Sequence, residues 1–222
     1  MTRKSLLVET VRTQLPGYAP DVVFDVGANV GSTAIALAEG FPAATVYAFE
    51  PVEATFRILV ENVMTQDRIR PFNLALGRRS RPVRMRIKSL SVSNRVAAWR
   101  DYLKPGETVA MTTGDSFCRE HAVERIGFLK IDAEGHDLHV LHGFRAMLKA
   151  GRIDLVEAEV GMNPENRHHA SFESVKAFLE RLGYRLFLIY EQSRDAPFSG
   201  RRILRRCNVV FASAKLVDAY RV

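Results

Sequence analysis

At 222 residues, 47% hydrophobic and 26% charged, the chain has the make-up of a globular protein that can bury a full core in one domain. No apolar run approaches the ~20 residues of a membrane span, and Glu9 and Arg12 cut short the signal-like start Met1-Thr2-Arg3-Lys4-Ser5-Leu6-Leu7-Val8. The net charge of +7 is concentrated, because Arg68 to Lys104 holds eleven Lys or Arg against the single acid Asp101; such a stretch suits RNA, an anionic glycan or phosphorylated substrate, a membrane surface, or simply a solvated face.

In chain order, Ser5 to Gln14 predicts a short amphipathic helix packing through Leu6, Leu7, Val8, Val11 and Leu15. Pro16-Gly17 and Pro20 then punctuate a loop. Val22 to Val26 is apolar and β-branched except for Asp25, which predicts a buried parallel strand. It runs into Gly27-Ala28-Asn29-Val30-Gly31 and a helical pattern from Ser32, the opening of a nucleotide-type βαβ unit. Thr45 to Phe49 predicts the second strand, ending on Glu50-Pro51. An acid there, about 20 residues past the glycine turn, is placed to bind the two hydroxyls of a ribose.

Glu53 to Met64 predicts a helix with Phe56, Leu59, Val60 and Val63 on one side, and Ile69 to Leu76 the third strand. The alternation then changes. Pro82 to Lys88 reads as a half-exposed antiparallel or edge strand, Ser89 to Asn94 as a polar loop and Glu107 to Thr113 as a partner strand. This 78–113 insertion stands where a helix is expected and can reach over a ligand towards a substrate. Asp115 is placed to cap a helix through Glu124, followed by a buried strand Gly127 to Asp132, a helix Asp137 to Lys149 and a strand Ile153 to Val160. Ser171 opens a helix to Leu182 with Gly183 as its stop, and Tyr184–Tyr190 with Ile203–Phe211 reads as a hairpin at a sheet edge. Cys118 and Cys207 make no metal pattern, so reduced structural thiols in a cytoplasmic protein are expected.

The ligand is narrowed by one residue. A dinucleotide fold wants G-x-G-x-x-G, whose middle glycine lets the backbone approach a pyrophosphate; here Asn29 stands in that place. A side chain there disfavours a pyrophosphate, and Asp25 repels one, which counts against a nicotinamide oxidoreductase. Both suit S-adenosylmethionine, with a ribose for Glu50, no phosphate, and a cationic sulfonium and ammonium for nearby acids. Asp25, Glu50, Asp132 and Glu159 are all expected at carboxyl ends of strands, gathering four carboxylates in one crevice. Asp132, Glu134 or His136 is then a base for an attacking hydroxyl; alternatively Asp132 with Glu159, joined by Glu134, binds Mg²⁺. His139 and His142 are read as solvated helix positions, and His168-His169 as a loop pair at the same rim.

Val23 to Gly31, Phe49-Glu50-Pro51 and Leu129-Lys130-Ile131-Asp132-Ala133-Glu134-Gly135 together resemble the FkbM-type S-adenosylmethionine-dependent methyltransferases. The weaker Asn73-Leu74-Ala75-Leu76-Gly77 and Leu141-His142-Gly143 fit the same pattern, so the resemblance runs from about Val22 to Gly183. It implies a class I methyltransferase fold: a Rossmann-like three-layer sandwich whose seven-stranded, mostly parallel sheet has an antiparallel edge. It also implies O-methylation of a hydroxyl on a sugar, glycan or natural product. By the same resemblance Asp25, Gly27, Asn29 and Gly31 cradle the amino-acid end of the cofactor, Asn73 and Ala75 flank the adenine, and Asp132 and Glu134 face the reacting methyl. The arginines after Gly77 match nothing in the family pattern. An RNA methyltransferase is the competing reading of the basic stretch, although the chain has no Pro-Pro and no Asn-Pro-Pro-Tyr or Asp-Pro-Pro-Tyr motif. A methyltransferase-fold binding protein without catalysis is the third.

Overall fold

A computed structural model describes residues 3–86, 95–96, 106–166, 168–194 and 203–220. Its main sheet is built from β1 (Val22–Val26), β2 (Thr45–Phe49), β3 (Ile69–Phe72), β4 (Ile126–Ile131), β5 (Ile153–Gly161), β6 (Tyr184–Arg194) and β7 (Leu204–Ser213). Their spatial order is β6-β7-β5-β4-β1-β2-β3. Contacts among β1 to β5 are parallel, whereas β7 runs antiparallel to both of its neighbours. The expected hairpin is present, with β6 at the edge and β7 inserted beside β5. Strand order reverses at β1, which lies between β2 and β4, so a crevice opens beyond the carboxyl ends of those strands.

Helices cover both faces. On one side α1 (Arg3–Gln14), α2 (Ser32–Gly40), α3 (Glu53–Val63) and α8 (Ala214–Ala219) bury Leu7, Val11, Leu37, Leu59 and Leu216 against Val23, Val46 and Phe128. On the other, α4 (Gly114–Glu120), α5 (Asp137–Gly143), α6 (Arg145–Lys149) and α7 (Phe172–Glu180) bury Phe117, Leu141, Leu148 and Leu179 against Phe24, Leu129 and Val156. Neighbouring β1 residues Val23 and Phe24 thus enter opposite cores, as strand alternation requires. At the centre of the second core Phe117 meets Phe49 and Phe72 edge-on, with ring centroids 4.8 and 5.0 Å apart. Among the described residues no helix is long and apolar enough to cross a membrane.

Several expected elements break where tertiary contacts intervene. The third strand stops at Phe72 instead of reaching Leu76: the Leu74 N–H turns back to the Phe72 carbonyl at 3.0 Å. Ala75–Leu76 then leaves the sheet to pair with Met111–Thr112. Of the insertion, Val83–Arg86 pairs antiparallel with Gly106–Val109 and Arg95–Val96, so the expected Glu107–Thr113 strand is split at Ala110. The polar loop Ser89–Asn94 lies outside the described residues. Val60 is exposed rather than packed, because the buried stripe of α3 is Thr55, Leu59 and Val63 at i, i+4 spacing.

Asp115 does not cap its own helix. Thr113 does, its Oγ1 accepting from the Ser116 N–H, and α4 ends at Glu120. The Asp115 carboxylate reaches a different helix, accepting from Ala146 N at 2.8 Å and Met147 N at 3.0 Å. With those two N–H groups engaged, the expected continuous helix Asp137–Lys149 is divided at Phe144 into α5 and α6. Asp115→Ala should therefore cost about 1 kcal/mol, the usual loss of a cap, read as a lower urea midpoint at unchanged slope. An unaltered midpoint would assign the break to the packing of Phe144 alone.

Candidate functional site

The crevice at the sheet's reversal point holds a cavity of about 660 Å³, a size that accommodates a nucleoside-class ligand. Its floor is the turn after β1. Gly27, at φ +78°, has no room for a side chain, since a Cβ there would lie 2.0 Å from the Asp132 carbonyl oxygen. This close approach ties the ends of β1 and β4, reinforced by Asp132 N donating to Val26 O at 3.0 Å. Asn29 takes φ +50°, a left-handed conformation that asparagine tolerates better than most residues. Its Oδ1 is buried with no hydrogen-bond partner, an acceptor suited to a ligand N–H.

Glu50 locks this turn to the next strand. One carboxylate oxygen accepts from Asn29 N at 3.1 Å and the other from Val52 N at 2.9 Å. A carboxylate has about four lone-pair sites, so acceptor capacity remains for two hydroxyls. Burial raises the Glu50 pKa to about 7 in spite of those two N–H donors. Leu74, Ala75, Leu76, Val83, Met85 and Met111 form an apolar wall, to which the 78–113 insertion contributes three residues.

The opposite wall is polar: Asp132, Glu134, His136 and His139 all line the cavity. Glu134 and Gly135 stand consecutively at positive φ, +49° and +90°. Gly135 is pressed against the His168 carbonyl oxygen, 2.0 Å from where a Cβ would lie. Asp137 supports the turn from beneath, its Oδ2 accepting from Gly135 N at 3.2 Å. Fully buried and close to Asp132, Asp137 has its pKa raised to about 7, chiefly by desolvation.

A family model described as the methyltransferase FkbM domain matches residues 25–186. The chain belongs to this family. A curated relative, hexuronic acid methyltransferase AglP of Haloferax volcanii, is 28% identical over 150 residues, 66% of this chain. The match spans only 59% of that relative's length. Among solved structures, magnesium protoporphyrin IX methyltransferase from Synechocystis superposes with TM-score 0.54 at 10% identity, covering 95% of this chain and 77% of the other. Fibrillarin of Aeropyrum pernix, solved with natively bound S-adenosyl-L-methionine, gives 0.50 at 16% identity, covering 94% and 74%. At such identities these likenesses concern fold, which is that of a class I methyltransferase.

The FkbM cavity brings together Gly27, Asn29, Glu50, Ala75, Asp132, Glu134 and His136 from the residues singled out in the sequence. Four others lie elsewhere. Asp25 is fully buried under the floor, ion-paired with Lys130 at 2.9 Å. Gly31 does not line the cavity; it gives Leu59 room, its Cβ position being 2.7 Å from that side chain. Asn73 donates to the Glu50 and Pro51 carbonyls, both at 3.1 Å, and so braces the acid rather than facing the cavity. Glu159 is drawn away into contacts with Arg206 and with His169 Nε2 at 2.8 Å. The proposed Mg²⁺ pair of Asp132 with Glu159 is therefore not assembled. Among the described residues no group of three or more His, Cys, Asp or Glu is arranged to hold a metal.

Lys130, quoted within a motif but given no role there, also lines the cavity. Only 4% exposed, it reaches Asp25, the Gly27 carbonyl at 3.4 Å and Asp132 at 3.8 Å. Burial works against its charge, but Asp25 and Asp132 outweigh it and raise its pKa. A signal existed in principle: Lys130 is an isolated charge in an apolar strand, and Asp25 is its register partner in β1.

Asp137 yields a pH prediction. Its folded pKa, about 7, lies above the ordinary 3.8, so between about pH 4 and 7 the unfolded chain loses this proton while the folded chain keeps it. Its contribution to stability is thus present at low pH and lost as pH rises through 7. Asp137→Asn, which keeps an acceptor for Gly135, should gain stability relative to wild type between pH 5 and 8 in urea titrations. Parallel curves would show that Asp137 titrates normally.

Proposed function

We propose that the chain transfers a methyl group from S-adenosylmethionine to a hydroxyl of a sugar or glycan. The observation that carries the reading is one cavity lined both by Glu50 with the Gly27–Asn29 turn and by Asp132, Glu134 and His136. Membership of the FkbM family and a relative named for a hexuronic acid support it. The donor set also fits the cofactor: spare carboxylate acceptors on Glu50 for a ribose, the unpartnered Asn29 Oδ1 for an ammonium, and the Leu74–Leu76 wall for a base.

When bound, S-adenosylmethionine supplies an electrophilic methyl on a positive sulfur. The protein's part is orientation, charge and proton handling. Glu50 and Asn29 hold the donor end, while the wall of Leu74, Val83 and Met85 excludes water. Asp132 would accept the proton of the attacking hydroxyl, and Glu134 and His136 would orient that hydroxyl. In-line placement of the two reactants removes much of the barrier, and a positioned base adds about 10²–10⁴-fold.

Two variants test the assignment. Glu50→Ala should weaken S-adenosylhomocysteine binding at least about 100-fold by calorimetry, the cost of two charge-assisted hydrogen bonds; retained affinity would take Glu50 off the ribose. Asp132→Asn should lower turnover by about 10²-fold or more while leaving that affinity within a few-fold. Near-normal turnover would make Asp132 structural.

A further inference from the structure

Arg78, Arg79 and Arg81 all line the cavity, and the assignment of cofactor and base above gives them nothing to do. They sit on a short turn at the start of the insertion, between Leu76 and Val83 of the apolar wall. The turn is pinned to the Met111–Thr112 strand at both ends: Gly77 N donates to Thr112 O at 2.9 Å, and Arg81 N to Met111 O at 3.0 Å. Between them the Ser80 and Thr112 hydroxyls are hydrogen-bonded at 3.0 Å. At its root Gly77 lies against Met111, whose Sδ is 2.5 Å from where a Cβ would be, and the Gly77 carbonyl packs on Gly143 of α5. The backbone is therefore fixed, while none of the three guanidiniums has a hydrogen-bond or ion-pair partner among the described residues. Three like charges within four positions repel one another.

The turn also has a direction. Arg78 lies close enough to His142 to reduce its basicity, second only to the effect of burial. His142 is one helical turn beyond His139, which lines the cavity on α5. The arginine turn therefore borders the α5 wall, where the acceptor hydroxyl must lie, rather than the Gly27–Asn29 floor. Guanidiniums bind carboxylates and phosphates through paired N–H groups.

Resting on the methyltransferase reading, we infer that Arg78, Arg79 and Arg81 form an anion subsite, so that the methyl acceptor is a sugar bearing a carboxylate or phosphate. The charged group docks on the arginine turn and brings a hydroxyl of the same sugar to Asp132. The insertion thus selects the acceptor by its charge. Neutral sugars lack the group that the turn is built to hold.

The test uses the full chain saturated with S-adenosylhomocysteine and two matched pairs of probes. One is p-nitrophenyl β-glucuronide against p-nitrophenyl β-glucoside; the other is glucose 6-phosphate against glucose. Calorimetry should show at least one anion binding about ten-fold or more tighter than its neutral match, and the pair that discriminates identifies carboxylate or phosphate. The triple variant R78Q/R79Q/R81Q should erase that preference while S-adenosylhomocysteine affinity stays within about two-fold. R78K/R79K/R81K, which keeps charge but loses the paired donors, should recover part of it. The proposal is overturned if neither pair is discriminated by wild type, or if the preference survives in the glutamine variant. It is also overturned if S-adenosylhomocysteine affinity falls in parallel, which would give the arginines to the cofactor's carboxylate. A wild-type protein that binds no S-adenosylhomocysteine fails the methyltransferase reading beneath it, a result distinct from these.

Discussion

The buried ion pair between Asp25 and Lys130 is the constraint on which the site depends. It joins β1 and β4, the two strands that meet at the sheet's reversal point, at 2.9 Å and almost out of contact with water. Two charges removed from water are costly, and such a pair is weak evidence of net stability. Breaking it from one side leaves an uncompensated buried charge, which typically costs 3–5 kcal/mol. The pair therefore acts as a register device more than as a source of stability. With Lys130 also reaching the Gly27 carbonyl and Asp132, one ammonium sets the spacing between the Gly27–Asn29 turn and the end of β4.

A second feature follows from the same economy of space. Glu50 is at once a structural acceptor for two backbone N–H groups and the acid turned towards the cavity. Asp137 similarly holds Gly135 in place beneath the turn that carries Asp132 and Glu134. Both acids have raised pKa values because burial outweighs the N–H groups pointed at them. A protein selected for stability alone would not bury two carboxylates in this way. Functional sites commonly keep such groups and are stabilised by the remainder of the fold; here the remainder is a pair of dense cores, one of them centred on Phe24, Phe49, Phe72 and Phe117.

Which parts were legible in the sequence follows from how far each signal reaches along the chain. β1 and β2 begin and end where the apolar runs do, because both strands are covered on two faces and their sequence pattern is local. Breaks made by distant partners were not legible: nothing near Phe144 announces that Asp115 will take the N–H groups of Ala146 and Met147. The four strand-end acids divide by a simple rule. Glu50 and Asp132 are the residues immediately after their strands and reach the cavity, whereas Asp25 lies within β1 and Glu159 within β5. An acid one or two residues inside a strand is held against the next strand of the sheet, so it must find a partner nearby, Lys130 in one case and Arg206 with His169 in the other. Gly31 marks a different limit. Sequence shows that a glycine is present, but not whether a ligand or, as here, Leu59 of α3 occupies the space it leaves.

The division of labour in the cavity explains why its two ends differ so much in legibility. The end floored by the Gly27–Asn29 turn is made by strand termini, whose positions are fixed by the sheet; any chain with this topology must build its turn within narrow limits of residue type. Half of the apolar wall comes from the 78–113 insertion, whose small strands pair among themselves and with Ala75–Leu76 rather than with the main sheet. It is free to vary without disturbing the register of β1, β2 and β4. The charge of Arg78, Arg79 and Arg81 lines the cavity there without touching the Asp25–Lys130 pair that holds the floor. The insertion is therefore the part of the cavity set by the individual chain rather than by its fold.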